Sequence, residues 1–149
     1  MKVSKKRPMK HSIVQISRNA FKHNLSFFKG IVPDALLSPV VKANAYGHGL
    51  AEMTSLAKDF GVPMLMVNYA CEAIFLRKSG YQGRVVTVGP FPDKSVLKDV
   101  VEADAELTVS NMDALDSWLA LPAKCKIHLK FNTGLNLSLI HISEPTRPY

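Results

Sequence analysis

From residue 17 onward, helix-like patterns alternate with short apolar runs about every 20 to 25 residues, the rhythm of βα units feeding a parallel sheet. Ser17 offers an N-cap to a helix whose apolar positions Ala20, Phe21, Leu25 and Phe28 recur at near-helical spacing, stopping around Gly30 with Pro33 beyond. Residues 36–43 read as a buried strand despite Pro39, and residues 44–49 as a loop, because Gly47 and Gly49 break either periodicity. A helix over about 50–60, stopped by Gly61, precedes a strand over 64–67. A helix over 70–78, ending at Gly80, leads to a strand over 84–88. Asp93 or Ser95 opens a helix to Glu102, and a strand follows over 106–109. Ser110 or Asn111 caps a helix through Leu119, and a last strand covers 126–131.

Five strands alternating with helices admit two folds. A doubly wound dinucleotide fold needs G-x-G-x-x-G after its first strand, and Gly47-His48-Gly49 has no third glycine at the right place. A complete (β/α)8 barrel takes about 250 residues, so five strands in 149 residues would be a little over half of one.

Composition removes several classes of function. No apolar run reaches the roughly 18 residues of a membrane span, and the most apolar stretch, 62–76, is broken by Asn68 and Glu72. The basic N-terminus runs into His11-Ser12-Ile13-Val14-Gln15 without an apolar core, so no secretory signal is read. The net charge of +7 is concentrated: residues 1–10 hold five of the 19 basic side chains and no acidic one. The expectation is a disordered basic leader on a nearly neutral body, with no nucleic acid or membrane as partner. Cys71 and Cys125 are too few for a disulfide framework and read as small buried hydrophobes, which suits a reducing, cytoplasmic setting.

Lys42 is the unusual side chain, ending an apolar strand among Val40, Val41 and Ala43, where its ammonium would be partly desolvated. Burial favours the free amine, the form that attacks a carbonyl carbon, and barrel active sites gather at the C-terminal ends of strands. Position alone favours a lysine snorkelling from the strand end. The following loop adds the Tyr46 hydroxyl and, at Gly47 and Gly49, backbone that an anion can approach closely. His48 reads as a loop histidine held by hydrogen bonds, His128 as a satisfied core histidine between Ile127 and Leu129, and Met112, Leu115 and Trp118 as packing.

The stretch Val40-Val41-Lys42-Ala43-Asn44-Ala45-Tyr46-Gly47-His48-Gly49 closely resembles the pyridoxal-phosphate lysine motif of the alanine racemase family. The resemblance continues at Glu72-Ala73-Ile74-Phe75-Leu76-Arg77 and at His128-Leu129-Lys130-Phe131-Asn132-Thr133-Gly134-Leu135-Asn136, spanning about residues 11–136 in one register. It implies the N-terminal part of a (β/α)8 barrel, an α/β fold of about five βα units here, with a β-rich C-terminal domain following in the family. It also implies pyridoxal 5'-phosphate as cofactor, alanine as substrate interconverted between L and D forms for peptidoglycan, and a cytoplasmic homodimer. Lys42 would hold the cofactor covalently and act as one of two bases at the substrate α-carbon, with the cofactor ring as electron sink. Tyr46 would bind the cofactor phosphate, and Lys130 matches a family lysine that is often carbamylated. A broad-specificity amino-acid racemase, another enzyme of the same cofactor fold type, or a non-catalytic pyridoxal-phosphate-binding protein would carry similar motifs.

After Asn136 the family continues with an arginine, whereas this chain has Leu137, and residues 137–149 lose the pattern and read as a non-native, adapter-like tail. The family's opposite-face base, a tyrosine from the partner subunit, would lie in the part beyond. On this reading the 149-residue chain is an N-terminal fragment with open sheet edges and no racemase activity of its own.

Overall fold

A computed structural model describes residues 13–123 and 125–134; the expected leader at 1–10 and the tail at 137–149 lie outside the described residues. The chain runs through α1 (Arg18–Ile31), a short turn α2 (Lys42–Tyr46), α3 (Leu50–Asp59), β1 (Met64–Val67), α4 (Ala70–Lys78) and β2 (Arg84–Thr87). It continues through α5 (Lys94–Glu102), β3 (Ala105–Val109), α6 (Met112–Leu119) and β4 (Ile127–Leu129). The strands pair in parallel in the order β1-β2-β3-β4, which is chain order without reversal. A doubly wound sheet reverses at its switch point. This one advances steadily, as the wall of a (β/α)8 barrel does.

The expected first strand is the exception. Of residues 36–43 only Val40 pairs, bridging to Met66, with Met66 N–H donating to Pro39 O (3.0 Å) and Val41 N–H to Met66 O (2.8 Å). Pro39 has no N–H to donate, and the chain turns out of the extended region after Val41, so the ladder stops after these bonds. Leu36 and Val40 are accordingly exposed rather than buried.

Helix starts follow the side chains. Ser17 Oγ accepts from Ala20 N–H (3.2 Å) and Asn111 Oδ1 from Ala114 N–H (2.8 Å), each satisfying a donor the first turn leaves open. Asn111→Ala is expected to cost about 1 kcal/mol and to lower the midpoint of a thermal melt by ~4 °C; an unchanged midpoint would show that the cap contributes nothing.

Alternation along the strands sets two faces. Leu65, Val67, Val85, Ala105 and Leu107 meet Ala57, Ala73, Leu76, Leu97 and Val100 of the helices in one core. Burying side chains such as Leu65, Leu76 and Leu107, which have no exposed surface, contributes roughly 2 to 3 kcal/mol each. Arg77 braces the loops below the sheet, donating to the carbonyls of Tyr81 (2.8 Å), Gly83 (2.6 Å), Ala103 (2.7 Å) and Asp104 (3.2 Å). Tyr81 donates its hydroxyl to Val62 O (2.8 Å); burial pushes its pKa up to about 12, against the opposing pull of Arg77. A Cβ at Gly83 would sit 2.8 Å from Pro63 O, so the close approach of these two loops requires glycine. Phe21 and Leu25 of α1 pack against the core, but Phe27, Phe28 and Ile31 remain exposed. Cys125 is buried as expected, whereas Cys71 is exposed, because the buried side of α4 is set by Ala73 and Leu76.

Candidate active site

Lys42 is half-buried and directly follows the pairing of Val40 and Val41 with Met66 at one edge of the sheet. Beyond it Ala43, Asn44, Ala45 and Tyr46 take φ values of 51°, 54°, 52° and 53°. Four successive non-glycine residues are thus left-handed, at roughly 1–2 kcal/mol each. Such a run persists only where its surroundings hold it.

The holding groups are visible. Ala45 N–H donates to Val41 O (2.9 Å), His48 N–H to Ala45 O (3.0 Å), and Gly47 and Gly49 N–H to Asn44 O (3.1 and 3.0 Å). Asn44 Oδ1 accepts from Leu50 N–H (2.8 Å), fastening the turn to the first residue of α3. Glu72 Oε1 accepts from Ala43 N–H (2.7 Å), while its Oε2 accepts from Asn68 N–H (2.8 Å) and Tyr69 N–H (3.0 Å). Gly47 (φ 89°) and Gly49 (φ 97°) close the turn in conformations that only glycine takes without strain.

These bonds correct one expectation. The N–H groups of Gly47, His48 and Gly49 are committed inside the turn, so the glycines shape it rather than present donors to an anion. The group this segment offers a ligand is the Tyr46 hydroxyl, on a side chain 62% exposed. At the other edge of the sheet, Lys130 follows β4 with its N–H donating to Val109 O (2.8 Å) and its side chain exposed. The strands β1, β2 and β3 stand between β4 and the Val40 bridge. The arc therefore puts Lys42 and Lys130 on one rim, at its two edges.

The pairing of Val86 with Glu106 and Thr108 with His128 places Arg84, Glu106 and His128 on the face turned away from the helices. Glu106 is 4% exposed and accepts from Arg84 Nε and Nη2, both at 2.7 Å. Its Oε2 also lies 2.7 Å from His128 Nε2. The Arg84 bonds hold the Glu106 carboxyl down to about 2 against the opposing effect of burial, with His128 pulling the same way. Glu106 in turn raises the pKa of Arg84 through the same bonds. His128 is therefore the half-exposed partner of a buried carboxylate, not a core histidine. Sequence reasoning passed over Glu106, although a charge inside an otherwise buried strand was a usable signal. The spacing of Glu72, three residues after the α4 N-cap Tyr69, was another.

The segment thus carries a half-buried primary amine, a group that adds to a carbonyl carbon, and four residues on a phenol hydroxyl able to donate to an anion. Among the described residues no group of three or more His, Cys, Asp or Glu gathers to hold a metal ion, and no helix is long and apolar enough to cross a membrane.

Comparison with known proteins agrees with this geometry. Residues 16–138 match the family described as alanine racemase, N-terminal domain. An alanine racemase of Methanococcus maripaludis is 33% identical over 127 residues, covering 82% of this chain and 34% of the relative. The alanine racemase structure from Oenococcus oeni superposes with a TM-score of 0.72 at 29% identity, over 80% of this chain and 34% of that one. A histidine racemase from Leuconostoc mesenteroides superposes with a TM-score of 0.75 at 29% identity, over 88% and 36%. The chain spans about a third of the length of the curated relatives it matches. With its parallel βα arc and its match from residue 16 to residue 138, the chain belongs to the alanine racemase family, in that family's N-terminal domain.

Proposed function

We propose that this chain is the cofactor-lysine portion of a pyridoxal-phosphate-dependent alanine racemase, in which Lys42 holds the cofactor. The observation that carries this reading is the placement of Lys42: a half-buried amine on the rim of a parallel sheet, followed at once by a four-residue left-handed turn. The donor set fits the group. A primary amine suits an aldehyde, and the exposed Tyr46 hydroxyl suits a phosphate while the backbone amides after it are already bonded.

When bound, the cofactor supplies a ring that withdraws electrons from the α-carbon of an attached amino acid. Lys42 takes or returns the α-proton at Nζ on one face, as general base or acid. Tyr46 donates its hydroxyl to the phosphate. Lys130 is the residue assigned to carbamylation, in which the Nζ ammonium adds carbon dioxide, releases two protons and turns from cation to anion. The opposite-face base is assigned to a tyrosine of the partner in a cytoplasmic homodimer, which supplies D-alanine for peptidoglycan. Because removing one member of an acid–base pair forfeits about 10² to 10⁴ in rate, the 149-residue chain by itself should show no turnover above free cofactor.

A second reading, a racemase of other or broader side-chain specificity, is favoured by the structural likeness to the histidine racemase. Grafting residues 16–136 into an alanine racemase such as that of Bacillus subtilis and assaying alanine against histidine separates the two. Turnover of alanine alone supports the first reading, and comparable turnover of histidine supports the second. For the cofactor assignment, the chain is incubated with pyridoxal phosphate, reduced with borohydride and peptide-mapped. Label on Lys42 is expected; label spread over other lysines would overturn it. Tyr46→Phe should raise the half-saturating cofactor concentration about tenfold, the worth of a hydrogen bond to a charged group, with label still on Lys42. An unchanged half-saturation would remove Tyr46 from the phosphate site.

A further inference from the structure

We propose that Glu72 is a positioning residue for Lys42, aiming the lysine through the backbone amide that follows it. The inference rests on the assignment of Lys42 as the cofactor lysine and adds to it a residue that touches no reacting atom.

Glu72 lies in the first turn of α4, 29 residues from Ala43, yet its Oε1 accepts from Ala43 N–H at 2.7 Å. Its Oε2 takes Asn68 N–H and Tyr69 N–H at 2.8 and 3.0 Å. One half-buried carboxylate thus clamps the amide after Lys42 to the junction between β1 and α4. The Lys42–Ala43 peptide unit is planar, so fixing the Ala43 N–H fixes the plane of the Lys42 carbonyl and with it ψ at Lys42. The other bonds of the turn run within it or to the start of α3. They shape the turn; Glu72 sets how it sits on the neighbouring βα unit. Three donors on two oxygens call for an ionised carboxylate, which accepts at both oxygens, whereas an amide must point its NH₂ at one set of N–H groups.

The reaction read out is condensation. Lys42 Nζ forms a bond to the aldehyde carbon of pyridoxal phosphate while the carbonyl oxygen leaves as water with both amine protons. Borohydride then donates hydride to the new C=N bond and makes it permanent. Positioning of Nζ acts on the limiting rate of this step, whereas capture of the phosphate acts on the half-saturating concentration.

The test compares the full 149-residue chain with Glu72→Gln, Glu72→Ala and, as control, Glu102→Gln on the exposed end of α5. Two quantities are followed: the kinetics of borohydride-trapped label on Lys42, and hydrogen exchange of individual amides in the chain without cofactor. For both Glu72 variants the limiting labelling rate is expected to fall about tenfold or more, as loss of near-attack geometry would cause, with half-saturation changed less than about threefold. Ala43 exchange should accelerate by about tenfold or more, the worth of a charge-assisted bond, while the core amides of Val85 and Leu107 and the Glu102→Gln chain stay unchanged. Core amides accelerating equally with Ala43 would make Glu72 a fold-stabilising residue only and overturn the proposal, as would Ala43 protection and labelling rate both unchanged. Were the wild-type chain to leave Lys42 unlabelled, the cofactor assignment would fail, and selective loss of Ala43 protection would still decide whether Glu72 holds the Lys42 backbone.

Discussion

Lys42→Ala is expected to abolish covalent capture of pyridoxal phosphate, lowering the trapped label by roughly 10²-fold or more, the cost when a held reactant gives way to groups met by diffusion. The size of the effect follows from how differently this amine is placed. Every other lysine among the described residues is exposed, whereas Lys42 is half-buried and anchored by a turn whose amides are bonded to Val41, Asn44, Ala45 and Glu72. An exposed lysine side chain samples many rotamers and does not hold its amine in a fixed direction. The measurement is the visible absorbance of the chain with cofactor, followed by reduction and peptide mapping. Label retained at wild-type level in the variant, on any other lysine, would remove Lys42 from its assigned role.

The second large effect concerns stability. Glu106→Gln is expected to destabilise the fold by about 2 to 3 kcal/mol at pH 7. The figure sits below full conversion of the pKa shift because Arg84 is 47% exposed and water screens its charge. A carboxyl that titrates near 2 when folded, against an ordinary 4.5, binds its proton less readily folded than unfolded. Its contribution is therefore fully present above about 4.5 and is lost as pH falls through about 2. Urea unfolding of the two chains at pH 7, 4.5 and 2.5 should show a gap that is constant between the first two and closing at the third. Repeating the series in a His128→Asn background removes the His128 contact to Glu106 from the comparison. A gap that did not narrow at low pH would show that the cost comes from packing, not from the ionised pair.

Much of the architecture was legible because it is written in local chemistry. The strand at 64–67 and the helix at 70–78 form within the expected limits, since β-branched and apolar runs bounded by Gly61 and Gly80 leave few alternatives. Ser17 caps as read, and of the two candidates Ser110 and Asn111 it is Asn111 that caps. Lys42 and the loop glycines also stood out, because an amine in an apolar run and two glycines one residue apart are local anomalies.

What the sequence by itself determined is the alternation of helix and strand, the parallel class of the sheet, and the segment that carries the candidate lysine. Only the tertiary structure decided how that lysine is held and which charges face one another. The strand expected at 36–43 shrinks to a single bridge because the pairing partner, Met66, is 26 residues on, and the turn after Val41 diverts the chain. The left-handed run of Ala43 to Tyr46 contradicts the local preference of each residue; Leu50, six residues past Asn44, and Glu72, 29 residues past Ala43, complete its bonds. Arg84, Glu106 and His128 are each 22 residues apart, one βα unit, and become neighbours only when three strands align in register. Local propensity acts within a turn or a strand, whereas a buried carboxylate is stabilised by whichever charges the register brings beside it.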